Sequence, residues 1–225
     1  MEIKNLYEDN DIIVCVKPPH VLSQRGANGG EDMISLLGGG VYPVHRLDGG
    51  VGGVMVYAKT QSAAGKLSQM IAAHEFEKEY LAVLRGKAEA CGTLRDLLFH
   101  DRIKNKTYVV DRMRSGVKEA SLSYRLVETR ETAEGILSLV RVKLHTGRTH
   151  QIRVQFASRR LPIAGDGRYG GGGGEIALWS YRLRFAHPTK RGKTVEAAQL
   201  PPEGAPWSNF TLANVEKTPV LEELR

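Results

Sequence analysis

The sequence predicts an α+β fold: a mixed, largely antiparallel β-sheet carrying a few helices. Three observations predict it. Strict two-residue alternation of apolar and polar positions recurs at 76–85 and 177–186, and a period of two sends successive side chains to opposite faces of a strand. Segments 121–127 and 136–144 flank a polar turn at 131–135, the pattern of an antiparallel hairpin. Helical spacing sustained over several turns is confined to 61–74, so helices are few and the sheet dominates.

In chain order, residues 3–17 read as two short strands joined by a turn at Glu8-Asp9-Asn10-Asp11. Ile12, Val14 and Val16 alternate with Ile13 and Cys15, as in a buried strand, and Pro18-Pro19 ends it. Residues 23–30 are polar and Gly-rich and form a loop, followed by a short helix near 32–37. Val54–Lys59 is a strand. Thr60 then caps a helix over 61–74 whose Ala63, Leu67, Met70, Ile71 and His74 share one face. The strand at 76–85 is expected to be half-buried, with Phe76, Lys78, Tyr80, Ala82 and Leu84 on one side. A helix over 149–158 follows the hairpin. At 177–186, Ala177, Trp179, Tyr181, Leu183 and Phe185 point one way, and Thr189–Lys193 is a hairpin turn. The Gly170–Gly174 run is expected to be a mobile loop. No clean boundary divides the chain, which reads as a single domain over 1–225.

Composition is that of an ordinary globular protein, and no stretch approaches the length of a membrane span. The N-terminus lacks the basic-then-apolar layout of a signal peptide. Cys15 and Cys91 lie far apart with no His or Cys cluster around them, which argues against a metal centre or disulfide framework. A cytoplasmic monomer with no membrane partner is the expectation. Basic residues outnumber acidic ones by 32 to 25, and their clustering says more than the sum. Arg141, Lys143, Arg148 and Arg153 form one stretch without an acid. Arg182, Arg184, Lys190, Arg191 and Lys193 form another. Arg102, Lys104, Lys106, Arg112, Arg114 and Lys118 enclose only Asp111. Such clusters attract a polyanion, so nucleic acid is a candidate partner.

Three segments could carry chemistry. In His45-Arg46-Leu47-Asp48, an acid lies two residues from an arginine and is followed at once by glycines. A neighbouring guanidinium favours the ionised carboxylate, which can act as nucleophile or base, and glycines allow a ligand to approach the backbone. The alternative is an aspartate in a plain β-turn. In His145-Thr146-Gly147-Arg148-Thr149-His150-Gln151-Ile152-Arg153, two histidines and two arginines meet at a strand-to-helix turn and can hold an anion. The histidines stand five apart without a carboxylate, which does not suit a metal. Tyr80 is either a core aromatic or a ring that stacks on a base.

Taken together, the strings YPVHRLD (42–48), GGVMVYAKT (52–60), KEYLAVLRG (78–86), LHTGRTHQIRVQFA (144–157), PIAGDGRYG (162–170) and LRFAHPTKRG (183–192) resemble the RluA-like family of RNA pseudouridine synthases. The resemblance covers most of the chain, to about Pro201, and implies a stand-alone catalytic domain without the N-terminal RNA-binding domain that many members carry. It implies a pseudouridine-synthase-like fold, an isomerase acting on uridines of structured RNA (ribosomal or transfer RNA), and no cofactor or metal. It places Asp48 at the catalytic aspartate and Arg46 at the arginine that enters the helix where the uridine flips out. Tyr80 falls at the tyrosine packed on the target base, and Arg153 at the arginine paired with the aspartate. Arg148, His150, Lys190, Arg191 and Lys193 are the further RNA-binding candidates. Members usually carry a basic residue after the aspartate and a Thr-Ser pair before the next glycine. Here Gly49, Gly50, Val51 and Gly52 stand there, and the loop is expected to be less anchored by side-chain hydrogen bonds. Two rivals remain. A non-catalytic RNA-binding protein on the same fold would be expected to have lost Asp48 or Arg153. A nucleoside hydrolase would want two carboxylates about the bond, and Asp166, the other candidate, reads as a turn aspartate between glycines.

Overall fold

The computed structural model describes residues 2–26 and 29–218. Its first elements are β1 (Asn5–Glu8), β2 (Ile12–Lys17), α1 (Met33–Leu36), β3 (Tyr42–Pro43), β4 (Gly52–Ala58), α2 (Gln61–Ala72) and β5 (Glu77–Arg85). There follow β6 (Cys91–Asp101), β7 (Lys106–Val110), β8 (Val117–Thr132), β9 (Gly135–Leu144) and α3 (Gln151–Ala157). The last are β10 (Leu178–Ala186), β11 (Thr194–Ala198) and α4 (Ala213–Lys217). Of the loop expected at 23–30, Ala27 and Asn28 lie outside the described residues. No helix among the described residues is long and apolar enough to cross a membrane. The chain divides into two compact units, Met1–Glu79 with Trp179–Pro201 and Tyr80–Leu178 with Pro202–Arg225.

In the first unit the strand order is β1-β2-β4-β10, with β3 also on β4 and β11 on β10. These pairings are antiparallel except β4 with β10, which is parallel and places Trp179 opposite Gly52 and Ser180 opposite Gly53. Thr60 caps α2 as expected, its hydroxyl accepting from the Ala63 amide at 3.1 Å. Ala63 and Leu67 then pack on Ile12, Val14, Val54, Val56 and Phe185, with Met70 and Ile71 at the rim. Wholly burying a side chain such as Leu67 stabilises by roughly 1.5–3 kcal/mol. The expected face stops short of His74, which is exposed with φ 60°. That left-handed residue cannot extend the helix, which ends at Ala72.

In the second unit the order is β5-β9-β8-β6-β7, with β8–β9, β6–β8 and β6–β7 antiparallel. The β8–β9 hairpin turns where the sequence places it. Helix α3 lays Val154 against Leu98 and Ala120 and sets Phe156 edge-on to Tyr124 at 5.2 Å. It is shorter than 149–158 because His150 adopts φ 54° at its start. The half-buried reading of 76–85 is corrected. Every residue from Glu79 to Leu84 is buried, so both faces of β5 are covered. The charge of Glu79 is tolerated there because Arg182 Nη1 lies 2.6 Å from its carboxylate, and a buried charge with a hydrogen-bonded partner avoids most of the isolated-ion cost.

Within the Gly170–Gly174 run, Gly171 is held in place. The Gly171 amide donates to Asp166 O at 2.8 Å, and its carbonyl accepts from Gly165 N at 3.0 Å and Arg85 Nε at 2.7 Å. A Cβ at Gly171 would lie 1.7 Å from the Ile163 carbonyl oxygen. This glycine is needed for close backbone approach, and the turn it closes carries Asp166 and Tyr169.

Candidate active site

In the first unit, Asp48 lies on the loop between β3 and β4, and the peptide groups on either side of it are clamped. On one side the Ser23 hydroxyl both donates to Leu47 O and accepts from Leu47 N, each at 3.0 Å. Ser23 is itself held through its carbonyl by the Tyr57 hydroxyl at 2.8 Å. On the other side, Gly49 O accepts from His20 N at 2.8 Å and from Lys17 Nζ at 3.2 Å. The loop closes with Val51 N on Asp48 O at 2.9 Å. Glycines follow Asp48, so the anchoring side chains come from outside this stretch. Lys17 and Ser23 do the anchoring, through the main chain.

Lys17 is wholly buried at the end of β2. Its ammonium also donates to Val21 O at 2.6 Å and Pro18 O at 2.9 Å, so three carbonyls meet its three hydrogens. Burial pushes the Lys17 ammonium down to about 8, and the negative charge of Asp48 opposes that fall. The charge of Asp48 thus acts on a buried lysine that sequence reasoning missed. The available signal was a lysine ending a strand that is otherwise apolar.

His45, three residues before Asp48, ties the loop to β4 by accepting the Val56 amide on Nε2 at 3.2 Å. Its ring lies 5.9 Å from Phe76, which stacks on Phe185 at 4.6 Å. Burial, with the charge of Lys78 adding to it, pushes the imidazole down to about 3. The unfolded chain takes up this proton near pH 6.5 while the folded one does not. His45 therefore costs no stability above pH 6.5 and should cost up to a few kcal/mol as pH falls toward 3. Replacing His45 with Gln, whose carbonyl can accept the same amide, should flatten the loss of unfolding free energy between pH 6.5 and 4. Equal slopes for both proteins in urea titrations would remove His45 as the cause.

Arg46 is exposed on the same loop. Lys190, Arg191 and Lys193 stand on the β10–β11 turn. Lys190 Nζ lies 2.6 Å from Asp9, and Lys193 Nζ donates to the Tyr7 hydroxyl at 2.8 Å. Burial pushes the Asp9 carboxyl up, but hydrogen bonds from Lys190, the Asp11 amide, Tyr7 and His187 outweigh it and hold the carboxyl well below its usual range. Asp9, Asp11 and His187 bring one ligand atom each within 4.8 Å of one another. Their donors and acceptors are engaged, however: His187 Nε2 meets Asp9 at 2.8 Å, and its Nδ1 accepts from the Lys190 amide at 3.0 Å. This cluster serves to hold the turn.

In the second unit, Tyr80 lies on β5 with its ring buried. Arg148, His150 and Arg153 gather about the start of α3. Arg148 Nε donates to Glu119 O at 2.9 Å. Arg153 projects from α3 and meets Asp166 in a two-pronged pair, Nε to Oδ2 at 2.7 Å and Nη2 to Oδ1 at 2.8 Å. The Arg153 guanidinium lies over the Tyr169 ring, 5.1 Å from its centroid. The Tyr169 hydroxyl accepts from Thr107 N at 2.8 Å and meets His150 Nδ1 at 2.9 Å. Burial raises the Tyr169 phenol, with the Thr107 amide opposing. Asp166 does sit in a turn, as the sequence suggests, and is also a buried partner of Arg153. Its signal was the glycine-flanked Asp followed three residues later by Tyr169.

A model of the RNA pseudouridylate synthase family matches residues 11–158. Among curated relatives, an uncharacterized RNA pseudouridine synthase of Aquifex aeolicus is 34% identical over 214 residues, 84% of this chain and 66% of that protein. Ribosomal large subunit pseudouridine synthase D of Yersinia pestis is 30% identical over 239 residues, 94% of this chain and 71% of that protein. The chain thus spans about two thirds of the length of these relatives. The solved structure of human RNA Pseudouridylate Synthase Domain Containing 1 shares the fold, with a TM-score of 0.75 at 23% identity over 89% of this chain and 84% of that one. The family match and the shared fold lead to one conclusion: this chain belongs to the RNA pseudouridylate synthase family of isomerases.

Proposed function

We propose that the chain converts specific uridines of structured RNA, ribosomal or transfer, into pseudouridine, with Asp48 as the group that attacks the nucleoside. The observation that carries the proposal is the Asp48 loop: the main chain on both flanks of Asp48 is held by Ser23, His20 and Lys17, and the charge of Asp48 acts on the buried Lys17 ammonium. A backbone held in this way fixes where the carboxylate can reach before substrate arrives, which lowers the cost of attaining the reactive geometry. Tyr80 is proposed to stack on the uracil, Arg153 to aim the carboxylate, and Arg46 to fill the space that the flipped base leaves. Arg148, His150, Lys190, Arg191 and Lys193 are proposed to meet phosphates. A cytoplasmic monomer is proposed.

The reaction breaks the bond from ribose C1′ to N1 and forms one from C1′ to C5. N1 ends with a proton, and the hydrogen on C5 is released to solvent. No electrons leave the substrate. The test follows from that balance. RNA from cells lacking the protein, labelled with tritium at uridine C5, should lose tritium to water when the purified chain is added. Tight RNA binding with no release would instead support the non-catalytic RNA-binding alternative.

A further inference from the structure

The role given to Arg153 raises the question of what aims it, and α3 alone does not. A guanidinium at the end of a long side chain must be fixed in two senses, the direction of its fork and the tilt of its plane. Asp166 settles the first, because a two-pronged pair through Nε and Nη2 allows one in-plane orientation. Its carboxylate is 1% exposed and Arg153 11%, so water does not compete for the pair. Tyr169 settles the second by offering a ring face 5.1 Å from the guanidinium carbon. Each holder is itself held. Asp166 Oδ1 accepts the Arg168 amide at 3.2 Å. The Tyr169 hydroxyl is fixed between Thr107 N and His150 Nδ1. Asp166 takes two of the five N–H groups of the guanidinium, leaving three for other acceptors.

We infer that Asp166 and Tyr169 are positioning residues, which act on the reaction by holding the plane and direction of the Arg153 guanidinium. The inference rests on the proposal that Arg153 acts at the substrate. Nothing in it requires Asp166 or Tyr169 to touch RNA.

Tyr169→Phe is the sharpest probe, since it keeps the stacked ring and removes only the tether to Thr107 and His150. Asp166→Asn keeps the shape and removes the charge. Both should lower the single-turnover rate by about tenfold or more, in line with the cost of misplacing a reacting group by a fraction of an ångström, with KM changed less than twofold. The decisive comparison is a cycle with Arg153→Lys, which keeps a charge but loses the fork. If Tyr169 acts through Arg153, adding Tyr169→Phe to Arg153→Lys should slow the reaction by less than twofold. A full additional tenfold loss in the double variant would overturn the inference, as would a wild-type rate for Tyr169→Phe while Arg153→Lys is impaired. A wild-type rate for Arg153→Lys would instead sink the underlying role of Arg153. Should Asp166→Asn fail to fold by stranding the arginine, the Tyr169→Phe cycle still decides.

Discussion

Asp48→Asn is expected to abolish turnover, by at least about 10⁴-fold in kcat, as loss of a nucleophile does in other enzymes. RNA binding should stay within a few-fold. The geometry explains why the effects separate. The hydrogen bonds that Ser23, His20 and Lys17 make to this loop end on the main chain of Leu47 and Gly49, so an amide at position 48 leaves these anchors in place. One indirect effect is expected. Asp48 opposes the burial-driven fall in the pKa of Lys17, so removing its charge should push that ammonium further below about 8 and lower stability modestly. Tritium release and fluorescence anisotropy on the same labelled RNA measure the two quantities. Release above about a thousandth of the wild-type rate would count against Asp48 as the attacking group.

Gly53→Ala should be severely damaging although it adds a single methyl group. Gly53 has φ 122°, outside the range an L side chain adopts comfortably, and a Cβ there would lie 2.2 Å from Ser180 O and 2.6 Å from Ser180 N. Both are backbone atoms of β10, paired to β4 at this rung, so neither can swing aside as a flexible side chain would. Strain of this kind costs roughly 1–3 kcal/mol before the clash is added, and the sum should exceed about 3 kcal/mol or leave the protein insoluble. Gly49→Ala is the matched control. A Cβ there meets only Leu22 Cδ2 at an ordinary 3.8 Å, and the change should stay within about 1 kcal/mol. Urea unfolding of both variants checks the contrast. Equal midpoints would show that the β4–β10 approach tolerates a side chain.

The contrast also shows which features the sequence could reveal. Local signals were readable because their physics is local: the cap at Thr60, the turn between β8 and β9, and the alternation along β10 all depend on residues a few positions apart. The family motifs likewise pointed to Asp48, Tyr80 and Arg153 as candidates. What escaped were partnerships across long stretches of chain. Ser23 reaches Leu47, Lys17 reaches Gly49, and Arg153 reaches Asp166, and no periodicity marks which polar residues will meet. The second buried face of β5 escaped for a related reason, since alternation describes a strand and not what covers it. Glu77 and Glu79 look alike in sequence, yet Glu79 is enclosed with Arg182 while Glu77 keeps partial exposure. The glycines after Asp48 look equivalent too, and it is the positive φ of Gly53 and the approach of Ser180 that separate it from Gly49.

Anchoring the Asp48 loop through carbonyl groups has a consequence for how such a site can change over time. Carbonyl oxygens are present whatever residue occupies a position, so the clamp makes no demand on the identity of the side chains at 46 and 49. Arg46 is exposed, and position 49 has room for a Cβ. Variation at these two positions can therefore retune what the loop touches outside the protein without disturbing how Asp48 is held. The proposed attacking group and the outer surface of its loop are, on this geometry, separately inheritable.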